Sequence, residues 1–87
     1  MTKIHFEVRV YCYHYNSGRG DNGYETEIIK YDDEQSARKT YLLAEICAGQ
    51  LTSGSAEFVD RYFGYTCGGF VESVEGIFKV ETTETKL

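Results

Sequence analysis

The three cysteines and two histidines are the residues of this chain best suited to chemistry. Cys12 and His14 lie close together in sequence, whereas Cys47 and Cys67 lie far along the chain. Zinc sites favour Cys-x-x-Cys pairs, and none occurs here. A cysteine nucleophile needs a neighbouring base, and only two histidines, both near the amino terminus, are available to Cys67. We therefore predict no metal site and no catalytic residue, with Cys12 and Cys47 in small apolar core positions.

The glycine-rich loop over residues 16–23 contains two known patterns. One is the Gly-x-Gly-x-x-Gly pattern of dinucleotide sites, and the other is the integrin-binding tripeptide Arg19-Gly20-Asp21. A dinucleotide loop leads from a strand into a helix, but this loop leads into a strand-like segment. Integrins are extracellular, whereas free thiols are typical of reducing compartments. We therefore predict no cofactor, and interpret the loop as a hairpin turn in which Arg19 and Asp21 contact a partner.

The net charge of −5, from 14 acidic and nine basic residues, bears on partners and location. Nucleic acids and anionic membranes attract basic surfaces, so we predict that the chain binds neither directly. No apolar signal-peptide core follows Met1, and no stretch approaches the roughly 18 apolar residues of a membrane-spanning helix. The expected location is the cytoplasm. An acidic protein suits a partner with a basic surface.

The amino-terminal half predicts two paired strands. Residues 4–15 alternate between apolar and polar side chains, which indicates a half-buried strand. Residues 24–31 read as a second strand. Asn22-Gly23 before it favours a tight turn, because both residue types tolerate positive φ. We therefore expect an antiparallel hairpin.

Two helices are expected next. Asp32 is predicted to cap the first, with Gln35 completing a capping box. This helix runs to about Ala48 and ends at Gly49. Its apolar stripe consists of Ala37, Tyr41, Ala44, Cys47 and Ala48. After a linker over residues 50–55, a short second helix is expected within residues 56–63.

The carboxy-terminal residues 70–81 are strand-like. A tight turn at Glu75-Gly76 would divide them into two strands with Glu72 opposite Lys79. The alternative is one long strand with a bulge at Gly76. With the turn, the order is β-β-α-α-β-β. We predict a single α+β domain over residues 1–87, with an antiparallel sheet of three to four strands packed with one long and one short helix. Residues 82–87 are expected to fray.

Two features favour partner binding. Tyr11, Tyr13 and Tyr15 form an aromatic stripe on the outer face of the first strand, and an exposed aromatic patch is typical of interfaces unless another element covers it. The second feature is the acidity of the hairpin and the helix start. It comprises Glu7, Glu25, Glu27, Asp32, Asp33 and Glu34.

A short, acidic, single-domain chain with strand–hairpin–helix order and no catalytic motif resembles the small proteins with which phages and mobile elements block host machinery. Anti-CRISPR proteins are the best-known class. The resemblance implies a non-enzymatic inhibitor in a bacterial cytoplasm. It would bind a protein of a nucleic-acid-handling complex, such as a CRISPR–Cas effector, at a basic surface. The expected partner-binding residues are Tyr11, Tyr13, Tyr15, Arg19, Asp21, Glu25, Glu27, Asp32, Asp33 and Glu34. The alternatives are a small structural or regulatory domain that forms a homodimer through its sheet, and a small cysteine-dependent enzyme using Cys67.

Overall fold

The computed structural model describes residues 2–14, 23–49, 53–64 and 68–86. The elements in chain order are β1 (Thr2–His14), β2 (Gly23–Tyr31), α1 (Glu34–Cys47), α2 (Ser53–Phe63) and β3 (Gly69–Thr83). The three strands form one sheet in the order β2-β1-β3, and both pairings are antiparallel. The fold is α+β, with both helices on one face of the sheet.

The predicted pairing of the first two strands is confirmed. β1 and β2 pair without interruption from Phe6 opposite Tyr31 to His14 opposite Gly23. The alternation of β1 has the expected result, because Val8 on the inner face is fully buried while its odd-numbered neighbours face the other way. The predicted tight turn at Asn22-Gly23 is wrong, because Gly23 belongs to β2 and pairs with His14. Residues 15–22 lie outside the described residues.

The predicted order with two final strands is wrong. β3 is one continuous strand that pairs with β1 over its whole length, so Glu75-Gly76 makes no turn and Glu72 does not face Lys79. Two register shifts leave Glu72 and Glu75 as extra residues on β3. These are β-bulges, and Gly76 beside the second has a φ of 142° that favours glycine. Because β1 is long enough, all of β3 can pair with it. A hairpin within residues 70–81 would have left part of β1 without a partner strand on this side.

We expect Gly76→Ala to lower the free energy of unfolding by about 1–3 kcal/mol, because alanine is strained at this φ. An added Cβ would lie 3.7 Å from the Phe78 ring, which is an ordinary contact. We therefore attribute the expected loss of stability to backbone strain and not to a steric clash. Urea unfolding measures the effect. Gly23→Ala is the control, since nothing lies within 4 Å of its added Cβ. An equal loss in both variants would contradict the explanation.

Helix α1 begins one residue later than predicted. Asp33, not Asp32, is the N-cap, and its side chain accepts a hydrogen bond from the Ser36 amide at 2.8 Å. The proposed capping box between Asp32 and Gln35 is therefore wrong. The Ser36 amide also holds the pKa of the Asp33 carboxyl below its usual range.

Both helices end just before the glycines that were predicted to terminate them. After α1, Gly49 has a φ of 73°, and after α2, Gly64 has a φ of 72°. These left-handed conformations end helices at low cost only when the residue is glycine. Helix α2 is confirmed, but it starts at Ser53 and takes up part of the predicted linker.

The core lies between the helices and the inner face of the sheet. It consists of Val8, Val10, Cys12, Ala37, Ala44, Cys47, Phe58, Val59 and Val71. Two hydrogen bonds connect the start of β3 to helix α2 and to the segment that follows α1. The Val71 amide donates to Ser55 Oγ at 2.8 Å, and its carbonyl accepts from the Gly49 amide at 2.9 Å. Both backbone groups of Val71 are thereby satisfied inside the core.

Candidate functional site

The outer face of the sheet carries the most distinctive side chains. We call it the open face, because both helices pack on the other side. It includes His5, Glu7, Arg9, Tyr11 and Tyr13 on β1, Tyr24, Thr26, Ile28 and Lys30 on β2, and Phe70, Ser73, Phe78 and Val80 on β3. Strand alternation and antiparallel register bring these residues together. The open face is therefore a single surface spanning all three strands.

Four aromatic rings pack together at one end of the open face. Tyr11 stacks on Tyr24 with ring centroids 5.3 Å apart, and Tyr13 stacks on Phe70 at 5.3 Å. Tyr13 and Tyr24 meet edge to face at 4.9 Å, which joins the two pairs into one cluster. Rings fixed in this way lose little side-chain entropy on binding, a property of interface aromatics. Tyr24 remains 49% exposed.

The other end of the open face is organised around a buried carboxylate. Glu7 Oε2 accepts a hydrogen bond from His5 Nε2 at 2.7 Å, and Oε1 accepts from Arg9 Nη2 at 3.0 Å. The Arg9 guanidinium also lies 3.9 Å from the centroid of Phe78. The hydrogen bond from His5, reinforced by Arg9, holds the pKa of Glu7 below 4.5 although burial opposes it.

We expect Glu7→Gln to lower the free energy of unfolding by about 1–3 kcal/mol at neutral pH, since the hydrogen bonds from His5 and Arg9 to the carboxylate weaken. The folded pKa of Glu7 lies below its ordinary value of 4.5. Its contribution is therefore complete above about pH 4.5 and is lost as the pH falls through the folded pKa. Urea unfolding of both proteins should show their difference shrinking in that acidic range. The exposed Glu81→Gln is the control, and a pH-independent difference would contradict the assignment.

The acidic residues predicted for the same interface lie elsewhere. Glu25 and Glu27 face Cys12 and Val10 across the β1–β2 pairing, so they lie on the helix side of the sheet. Asp32, Asp33 and Glu34 are exposed where α1 begins. Of the predicted aromatic residues, Tyr11 and Tyr13 are on the open face. Tyr15, Arg19 and Asp21 lie outside the described residues.

Strand β2 is where the aromatic and acidic groups meet. It is an edge of the sheet, and its side chains alternate between the two faces. Tyr24 and Ile28 point to the open face, whereas Glu25 and Glu27 point to the other. A partner that covers this edge would contact both kinds of side chain.

Sequence reasoning missed three aromatic members of the open face. The predicted tight turn at Asn22-Gly23 would have placed Tyr24 opposite Asp21, whereas the structure pairs Tyr24 with Tyr13. Phe70 and Phe78 were not detectable, since their neighbours are set by the distant pairing of β3 with β1. The signal for these two lies in tertiary structure alone.

A second surface lies between the two helices. A groove of about 260 Å³ is lined by Leu43, Ile46, Cys47, Gly54, Glu57, Phe58, Arg61 and Tyr62. Leu43 and Ile46 on α1 are 48% and 72% exposed, which is unusual for large aliphatic side chains on a helix. The groove is mainly apolar, and it lies on the side of the molecule away from the open face.

The two cysteines within the described residues, Cys12 and Cys47, are part of the core. Cys12 and Cys47 are buried, as predicted, and burial raises the pKa of both thiols. Across the described ranges, no three side chains of His, Cys, Asp or Glu converge as metal ligands. Cys67 lies outside the described residues. Neither helix, in its described part, is long and apolar enough to cross a membrane.

Comparison with known proteins assigns no relatives to this chain. No family model, curated protein or solved structure matches it. Its function is therefore inferred from its own surfaces.

Proposed function

We propose that this chain is a non-enzymatic inhibitor that binds a protein partner through its open face and the adjoining edge strand β2. The aromatic cluster of Tyr11, Tyr13, Tyr24 and Phe70 is the observation that carries the proposal. These rings form a preorganised patch that no described helix covers. Tyrosine is enriched at interface hot spots, because its ring buries apolar area while its hydroxyl stays hydrogen-bonded.

The charges on the open face favour a protein over a nucleic acid. Proteins that bind single-stranded nucleic acid combine stacking aromatics with cations that contact phosphates. Here Arg9 is held by Glu7 and stacked on Phe78, and Lys3 pairs with Glu84 at 3.0 Å. Lys30 is an exposed cation of this face, and it lies opposite the Glu7 carboxylate. The net charge of −5 also opposes phosphate binding.

The acidic edge indicates the kind of partner. Glu25 and Glu27 lie on the same strand as Tyr24, so a partner that covers β2 meets carboxylates beside the aromatic patch. Such a partner would carry lysine or arginine at its rim, as the nucleic-acid-binding surfaces of CRISPR–Cas effectors do. Occupying that surface would inhibit the complex by excluding its nucleic acid.

The test is affinity capture from a bacterial lysate with matched variants. Tyr11→Ser/Tyr24→Ser alters the aromatic cluster, and Glu25→Lys/Glu27→Lys reverses the acidic edge. Leu42→Ser, on an exposed position of α1, is the control. Asp33 is left unchanged because it caps α1.

Wild type and the control should recover the same nucleic-acid-handling complex. Both altered proteins should bind it at least about 30-fold more weakly, the loss expected for hot-spot residues. Circular dichroism verifies that each variant is folded. Undiminished recovery by the aromatic variant would contradict the proposal, and undiminished recovery by the charge-reversed variant would exclude a basic partner.

A further inference from the structure

Helix α1 has two apolar faces, and only one is covered. Ala37, Ala44 and Cys47 pack against the sheet, whereas Leu43 and Ile46 point away from it. Among the described residues, the buried core contains neither leucine nor isoleucine. The side chains with most to gain from burial are therefore left on the surface.

Helix α2 supplies the opposite wall of the groove. The half-buried Tyr62 ring lies there, tilted against the buried Phe58 ring with centroids 4.5 Å apart, beside Leu43 and Ile46 of α1. An open apolar groove of this kind, bordered by charged side chains, is typical of protein interfaces.

The charges bordering the groove are complementary to themselves. Glu57 and Arg61 are one helical turn apart on α2, and among the described residues neither forms an ion pair. The Arg61 guanidinium lies 5.6 Å from the centroid of the Tyr62 ring, which keeps it at the border of the groove. A two-fold axis passing between Glu57 and Arg61 places Glu57 of each copy against Arg61 of the other. Glu57 and Arg61 of both copies are then paired across the axis.

We propose that this groove is the interface with a second copy of the chain. Helix α2 pairs antiparallel with α2 of the other copy, and Leu43 and Ile46 of each cover the half-buried Tyr62 ring of the other. An interface of standard size buries about 800 Å² per partner. That is about a seventh of the 5920 Å² surface of this chain. Small domains bury little surface on their own, so this burial adds appreciably to stability.

This dimer goes beyond the proposed inhibitor and does not depend on it. Both copies keep the open face uncovered, because the groove is on the other side of the sheet. Self-association is measured on the purified full chain with no other protein present. Failure of one proposal therefore leaves the other intact.

Sedimentation velocity across micromolar concentrations tests the dimer with charge variants at exposed positions. Wild type should approach twice the 9.9 kDa mass of one chain. Glu57→Arg and Arg61→Glu should each weaken self-association at least about tenfold, since like charges then face each other. An equimolar mixture of the two variants should restore the dimer, because each chain now complements the other.

The double variant Glu57→Arg/Arg61→Glu is the matched control and should dimerise alone. Circular dichroism establishes that each variant is folded. A wild type that stays monomeric at every concentration would overturn the proposal. So would a dimer that both single variants leave unchanged, or one that Tyr11→Ser/Tyr24→Ser dissociates, since that result places the contact on the open face.

Discussion

Alanine in place of Phe58 is expected to lower the free energy of unfolding by about 3–5 kcal/mol. Phe58 is 6% exposed and packs against Tyr62 and Phe63 at the centre of the core. The whole domain has about 4–13 kcal/mol of stability for its length, so this loss consumes much of it. Urea unfolding followed by circular dichroism measures the change.

Leu42→Ala is the matched control for Phe58→Ala. Leu42 lies on α1 and is 60% exposed, so its truncation should change stability by no more than about 0.5 kcal/mol. Similar losses in the two variants would contradict the assignment of Phe58 to the core. A thermal scan supplies a second readout, in which the Phe58 variant should melt well below wild type.

Alkylation at neutral pH is expected to leave Cys12 unmodified in the native protein. Burial, with a smaller contribution from the Glu27 charge, raises the pKa of Cys12 from 9.0 to about 12. The thiolate fraction is then about a thousandfold below that of an ordinary thiol. Iodoacetamide labelling, mapped by peptide mass spectrometry, should show that suppression, and unfolding in urea should abolish it.

The same experiment tests the cysteine-enzyme alternative. Selective, rapid modification of Cys67 near neutral pH would support a nucleophilic role, because catalytic thiols have a lowered pKa. Labelling of Cys67 no faster than a small free thiol would count against it. Rapid native labelling of Cys12 would show instead that the core opens easily.

The elements set by local sequence were predictable. The alternation of β1 and the spacing along α1 each place apolar side chains on one face, and the structure buries those faces. Gly49 and Gly64 end both helices as expected, because their φ values are positive. The N-cap was predicted at Asp32 but is Asp33. The sequence does not distinguish the two, because adjacent aspartates have the same capping chemistry.

Long-range pairing was not predictable in the same way. Glu75-Gly76 has the composition of a turn, and only the partner strand decides between a turn and a bulge. Because β1 is 13 residues long, it can pair with all of β3 despite a sequence separation of more than half the chain. For this reason the prediction of two final strands was wrong, and the structure has the single strand β3.

In the candidate site, too, local features were predictable and features set by strand pairing were not. The aromatic stripe of Tyr11 and Tyr13 followed from alternation within one strand. The acidic residues Glu25 and Glu27 were grouped with it by composition, but the pairing of β2 with β1 assigns them to the opposite face. Composition identifies which side chains are available, and register decides which of them share a surface.

Growth of the sheet by adding strands is favoured from one edge only. At β3, Val71 already has both backbone groups bonded to Ser55 and Gly49, and two bulges interrupt the strand. At β2, nine residues pair with β1 in unbroken register, which leaves a regular outer edge. Two chains joined through β2 would expose only β3 edges, so further strand addition is disfavoured. The architecture therefore opposes fibril formation, since a fibril must recruit chains at both ends of the sheet.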